Sequence, residues 1–95
     1  MAHVIYKYAL GDGGGCSLAL PQNAQFLTLQ MQYDSPCVWF LCDKDAPLIR
    51  GNKVTIVGTG QEIESEGLGE YIGTFQKLDG ALVWHVFLQQ QQKGN

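Results

Sequence analysis

The chain has 95 residues, a formal net charge of −3 and only six Lys and Arg residues, which form no cluster. This length is typical of one domain with a single hydrophobic core. Because nucleic-acid binding depends on neutralising phosphates, the sparse positive charge argues against a DNA- or RNA-binding module. No apolar run approaches the roughly 20 residues that a membrane-spanning helix needs.

The N-terminus and the cysteines both indicate a cytosolic protein. Residues 1–7 contain no basic segment, no long apolar run and no cleavage site, so we expect no signal peptide. Cys16, Cys37 and Cys42 are odd in number and lack both a C-x-x-C motif and a histidine at zinc spacing. We therefore expect buried free thiols, with no disulfide, no metal site and no cofactor.

The first twenty residues predict two strands joined by a glycine-rich turn. Residues 3–10 combine β-branched and aromatic side chains, and residues 16–20 form a short apolar run that ends at Pro21. The run at 11–15 contains four glycines, which suit a loose turn with positive φ angles. It has one carboxylate and no basic residue, so it resembles neither a calcium loop nor a P-loop.

The middle of the chain predicts three more strands. Residues 25–33 alternate, and one face is apolar, which is typical of a half-buried strand; that face comprises Leu27, Leu29, Met31 and Tyr33. After a turn at 34–36, residues 37–42 are apolar on both faces, as in a central strand. A connection over 43–52 leads to a strand over 53–59.

The last third predicts an acidic loop and a β-hairpin. The segment 61–70 carries four glutamates and two glycines, which favour a loop over a stable helix. Strands over 71–78 and 81–89 flank Asp79-Gly80, a dipeptide that favours a type I′ turn. The second strand is apolar on both faces, so it lies either at the centre of a sheet or against a partner.

Together these patterns predict an all-β domain over residues 1–95, with its tail at 90–95 disordered because nothing apolar anchors it. Six to seven strands and no helical periodicity indicate a small antiparallel sheet that forms an open barrel or a sandwich.

Two features are candidates for chemistry. His85 and Trp84 are neighbours in one strand, so their side chains lie on opposite faces of it. A structural role for His85 is favoured, and the alternative is that it contacts a ligand or acts as a general base. Gly58-Thr59-Gly60 lacks the third glycine and the helix of a dinucleotide-binding turn. It is either a bulge or tight strand exit, or a loop whose backbone N–H groups meet a phosphate or carboxylate. No nucleophile–base pair is visible, so no catalytic residue is assigned.

Several short motifs, taken in order, resemble a family of short proteins of unknown function that are common in bacteriophage and prophage genomes. The likeness covers about residues 4 to 88. Its motifs are Ile5-Tyr6-Lys7-Tyr8, Cys37-Val38-Trp39 leading to Asp43, Val57-Gly58-Thr59-Gly60, Tyr71-Ile72-Gly73-Thr74 and Leu82-Val83-Trp84-His85-Val86-Phe87.

The resemblance implies a non-enzymatic phage accessory protein that counters host defence by binding, in the host cytoplasm and as a homo-oligomer. One form of this hypothesis is sequestration of a small phosphorylated, nucleotide-derived signal, motivated by the polar glycine loop and the many aromatic residues. Its candidate binding residues are Trp39, Arg50, Thr59, Gly60, Tyr71, Trp84 and His85. The alternatives are a protein–protein inhibitor of a host defence complex, motivated by the acidic loop, and a small nucleotide hydrolase with His85 as its base.

Overall fold

A computed structural model describes residues 2–11 and 13–91. Over these described residues the fold is all-β, as predicted, with seven strands and one turn of 3₁₀ helix at Leu78–Gly80. Among the described residues, no helix is long and apolar enough to cross a membrane. The strands are β1 (His3–Ala9), β2 (Gly15–Pro21), β3 (Gln25–Gln32), β4 (Ser35–Asp43), β5 (Leu48–Gly58), β6 (Glu70–Lys77) and β7 (Leu82–Gln89).

The strands form two antiparallel sheets that pack as a sandwich and not as a closed barrel. One sheet has the order β1-β4-β3 and the other the order β2-β5-β7-β6. The core between them is built from alternate residues of the central strands, such as Val38 and Phe40 of β4 and Val86 and Leu88 of β7. Both apolar strands are therefore central, which answers the question left open for the second hairpin strand.

A bulge in β3 changes which side chains reach the core. The alternating pattern predicts Leu27 and Tyr33 on the apolar face, but this is wrong for both residues. The pairing with β4 shifts between Phe26 and Thr28, so Phe26 packs against the core while Leu27 is exposed. Tyr33 lies in the turn after β3 and is also exposed.

Strand β5 begins earlier than predicted, at Leu48 and not at residue 53. The added segment contains Asn52, which is fully buried next to a register shift in the pairing of β2 with β5. Its Nδ2 donates to the carbonyl oxygens of Leu18 (3.0 Å) and Ile49 (2.7 Å), and its Oδ1 accepts from the Gln91 N–H (2.7 Å). The amide thereby satisfies two carbonyl groups beside the irregular pairing and one N–H group that follows β7.

The C-terminal hairpin is present, with a wider end than a two-residue turn would give. Asp79 and Gly80 both have positive φ, and the Ala81 N–H donates to the Leu78 oxygen (3.0 Å). Leu78 also has a positive φ, so the ladder ends one step earlier, at the pair Lys77–Leu82. Of the tail predicted to be disordered, Gln90 and Gln91 each make a hydrogen bond, and residues 92–95 lie outside the described residues.

The connection between β5 and β6 crosses the outer face of the four-stranded sheet. Both strands run antiparallel to β7, which lies between them, so the chain must return from one end of the sheet to the other. The segment 59–69 makes this crossing without a helix. It borders a groove with Lys53 and Val57 of β5, and Val57 is buried although it lies on the outer face.

Candidate functional site

A chain of hydrogen-bonded side chains, called here the His85 chain, lies on the outer face of the four-stranded sheet. It consists of Thr59, His85, Thr74 and Tyr71. His85 of β7 pairs with Thr74 of β6, so their side chains share a face. The Nε2 atom of His85 lies 2.6 Å from Thr59 Oγ1, and Nδ1 lies 3.0 Å from Thr74 Oγ1. The Tyr71 hydroxyl is hydrogen-bonded to Thr74 Oγ1.

The His85 chain is suited to holding the turn after β5 in position more than to catalysis. A neutral imidazole has one donor and one acceptor nitrogen, and hydroxyls can both donate and accept, so either tautomer completes the chain. A hydrolytic triad would instead place a carboxylate on the second ring nitrogen, where His85 has Thr74. Within the part of the chain that the structure describes, no three His, Cys, Asp or Glu residues are grouped as metal ligands.

What the His85 chain holds in place is the turn after β5. Two hydrogen bonds join Gly58 and Gln61: the Gln61 N–H donates to the Gly58 oxygen (3.1 Å), and the Gly58 N–H donates to Gln61 Oε1 (3.0 Å). Thr59 is fixed by its hydroxyl on His85 and by its N–H on the Val83 oxygen (3.3 Å). Gly60 has a positive φ, which glycine adopts without strain.

The other side of the same turn borders a cleft of about 470 Å³ at one end of the sandwich. Trp84 and Phe75, paired across β7 and β6, form its apolar wall, and Lys77 follows two residues after Phe75 on the same strand face. Gln61 closes one side, and the glycine-rich loop between β1 and β2 forms the opposite wall through Gly11, Gly13 and Gly14.

The cleft brings together an indole, an ammonium group and the backbone of three glycines, Gly11, Gly13 and Gly14. A Cβ atom added at Gly13 would meet no atom within 4 Å, so the loop leaves open space in front of it. An aromatic face can stack on a planar ring, and a cation favours an anionic group beside it. The arrangement is therefore chemically suited to a small ligand with a planar ring and a negative charge.

The cysteines are unsuited to nucleophilic chemistry. All three are free thiols; Cys37 and Cys42 are buried as expected, whereas Cys16 is only partly buried. Burial raises the pKa of the Cys16 thiol and of the Cys42 thiol. Because the thiolate is the nucleophile, both groups are held in their unreactive form near neutral pH.

The seven predicted binding residues do not form one site within the chain. Thr59, Tyr71 and His85 belong to the His85 chain, with Gly60 next to Thr59 in the turn. Trp84 lies on the opposite face, in the cleft. The remaining two are apart from both: Trp39 borders a groove on the other sheet, and Arg50 is exposed near the start of β5.

Sequence reasoning missed Thr74, Lys77, Gln61 and the glycine loop as parts of these sites. The sequence contains a signal for Thr74 and Lys77, because counting back from Asp79-Gly80 pairs Thr74 with His85 and Lys77 with Leu82, as observed. The contributions of Gln61 and of the loop depend on how the two sheets pack, which no local pattern encodes.

The fold and these sites define a small antiparallel β-sandwich with a polar-rimmed cleft at one end. The chain belongs to the family described as Domain of unknown function (DUF7352), whose match covers residues 1–95. Neither a curated protein nor a solved structure gives a significant match to the chain.

Proposed function

We propose that this protein works by binding a small phosphorylated, nucleotide-like ligand in the cleft beside Trp84, without catalysing its conversion. In the biological form of this proposal it is a bacteriophage accessory protein that sequesters a host defence signal in the host cytoplasm. The observation that carries the binding proposal is the meeting of Trp84, Lys77 and the glycine-rich loop around one cleft.

Each part of the cleft matches one part of such a ligand. The base stacks on the Trp84 indole, a contact that tolerates different bases because every base has a π-face. The Lys77 ammonium attracts the phosphate, and the loop at Gly13 and Gly14 lets the backbone approach it closely. The volume of about 470 Å³ lies within the usual range for small-molecule sites, about 300–1,000 Å³.

Isothermal titration calorimetry with a panel of nucleoside monophosphates, cyclic nucleotides and ADP-ribose derivatives tests the proposal. We expect binding of at least one phosphorylated compound to the wild-type protein. Lys77→Gln should weaken that binding by about 10-fold or more, since a hydrogen bond to a charged group contributes about 1.5–3 kcal/mol. The affinity for the matching unphosphorylated nucleoside should stay unchanged.

Two further variants separate a cleft effect from a general one. Gly13→Leu should block the cleft without strain, because Gly13 has an ordinary φ and open space in front of it. Lys53→Gln removes an exposed lysine that lies outside the cleft and should leave binding unchanged. Thermal melts of each variant report folding. Absence of heat for the whole panel, or equal loss in Lys53→Gln and Lys77→Gln, would contradict the proposal.

One observation favours a second function, hydrolysis of a nucleotide. Thr59 Oγ1 lies 2.6 Å from His85 Nε2, which is within the distance of a nucleophile–base pair. Chromatography of each nucleotide after incubation with the protein distinguishes the two functions. Intact nucleotide supports binding alone, whereas a product that Thr59→Val no longer forms supports hydrolysis.

A further inference from the structure

The outer face of the three-stranded sheet is apolar at its centre. Trp39 and Leu41 of β4 lie next to Ile5 of β1, which is 60% exposed, and to the exposed Leu27 at the bulge of β3. Trp39, Ile5 and Leu27 line a shallow groove of about 280 Å³. A contiguous apolar patch of this kind on a small domain marks a surface that binds another molecule.

Charges of opposite sign lie at the two ends of this patch. Lys7 pairs with Trp39, and Asp43 pairs with His3, so the residues project from the same face. Lys7 lies two residues from Ile5 along β1, on one side of the Ile5–Leu41 pair. Asp43 lies two residues from Leu41 along β4, on the other side, with Asp45 beside it in a polar groove. The face therefore has a cationic end, an apolar middle and an anionic end.

We infer that this face binds a second copy of the chain and forms an isologous dimer. The two-fold axis runs between the facing three-stranded sheets of the two copies. It is perpendicular to the strands and passes close to Ile5, so the strand direction is reversed in the second copy. Lys7 of each protomer then faces the Asp43 end of the other, and the apolar centres meet. Because each copy carries both Lys7 and Asp43, two complementary charge pairs form across the interface, and a second copy of the chain is a partner of matching charge.

The size of the face sets the strength of the contact. Three strands about 4.8 Å apart, with about seven residues each at 3.3 Å, give a flat footprint of about 300 Å². Stable complexes bury about 800 Å² per partner. We therefore expect a weak dimer that forms as the protein concentration rises, with a Kd of about 10–100 μM. This inference does not depend on the ligand proposed for the cleft.

Sedimentation velocity from about 5 to about 500 μM protein tests the dimer over that affinity range. The wild-type protein should shift from monomer to dimer, and Ile5→Lys should remain monomeric throughout. The matched control is Leu48→Lys on β5 of the other sheet, because Leu48 is 59% exposed and Ile5 is 60% exposed. A monomeric wild-type protein, or equal weakening by both variants, would refute the inference.

A charge exchange tests the arrangement of the two copies. Lys7→Glu should weaken the dimer by about 5-fold or more, and adding Asp43→Lys should restore it because the intermolecular pairs are then reversed on both sides. Asp43 Oδ1 also accepts from the Asp45 N–H (3.0 Å), so a thermal melt must confirm that the double variant is folded. If the folded double variant dimerises no better than Lys7→Glu alone, this arrangement is wrong.

Discussion

Replacing Asn52 by alanine should destabilise the protein more than any surface substitution, because one fully buried amide completes three backbone hydrogen bonds. Its exposed fraction is 0%, and it bonds the oxygens of Leu18 and Ile49 and the N–H of Gln91. A hydrogen bond contributes about 0.5–1.5 kcal/mol net, and a buried group left without a partner costs about 1–3 kcal/mol. Taken together, the loss is about 3–4 kcal/mol out of a total stability of about 5–14 kcal/mol.

Urea unfolding followed by tryptophan fluorescence measures this loss, and the melting temperature should fall by about 12–32 °C. Gln91→Ala is the control, since it keeps the N–H that Asn52 accepts and should change the free energy of unfolding by less than about 0.5 kcal/mol. Asn52→Asp should cost at least as much as Asn52→Ala, because it turns the donor that faces two carbonyl oxygens into an acceptor. A cost below about 1 kcal/mol for Asn52→Ala would refute the reasoning.

Three further predictions concern close packing, pH and backbone strain. Gly73→Ala should lower the free energy of unfolding in urea by about 2 kcal/mol. The reason is that the added Cβ would lie 2.7 Å from Leu29 Cδ2 and that Gly73 has a φ of 153°. An unchanged free energy of unfolding would show that β3 and β6 can separate. Burial raises the pKa of the Cys42 thiol and of the Tyr8 phenol. The contribution of these two groups to the free energy of unfolding should therefore be constant below about pH 8.5 and fall as the pH rises through the raised pKa values, by up to about 1.4 kcal/mol per pH unit for each group. Cys42→Val should reduce that slope, and a slope unchanged by it would contradict the assignment to Cys42. Tyr33→Asn should raise the melting temperature slightly, since Tyr33 has a φ of 50° and asparagine tolerates that conformation better; a lower melting temperature would show that the Tyr33 side chain stabilises the fold.

The predictable part of the fold is the part that strand alternation and turn chemistry determine locally. The apolar character of both faces of 37–42 predicts a central strand, and β4 is central in its sheet. The same pattern in 81–89 is compatible with a central strand or with a face covered by a partner, and the structure shows that β7 is central. The turn after β3 lies at Tyr33-Asp34, one residue earlier than the predicted 34–36, and the sequence does not indicate this because tyrosine rarely adopts a positive φ. The alternating pattern predicts Leu27 in the core, and this is wrong because a bulge adds one residue without changing the sequence pattern.

The candidate sites divide in the same way. The pairing of Thr74 with His85 follows from the position of the Asp79-Gly80 turn, so one hydrogen bond of the His85 chain could be predicted from sequence. The contact of Thr59 with His85 depends on the crossover that places β5 beside β7, 26 residues apart in sequence. The cleft depends on how Gly11, Gly13 and Gly14 lie against the second sheet, and this arrangement is decided by the packing of the two sheets.

Neighbouring residues on β7 link the two sites. His85 faces outward and bonds Thr59, while Trp84 faces inward, and the turn at Gly58–Gln61 contacts both sides of the strand. A Cβ at Gly58 would lie 3.4 Å from Trp84 Cζ3, so the turn and the indole are already in contact distance. A change at His85 can therefore reach the cleft through the turn. If the protein only binds its ligand, His85→Ala should weaken binding by a small factor through this turn, whereas a hydrolase with His85 as base would lose its turnover. Trp84 and His85 are therefore adjacent in sequence but lie on two faces of the sheet that one turn contacts, and they do not share a pocket.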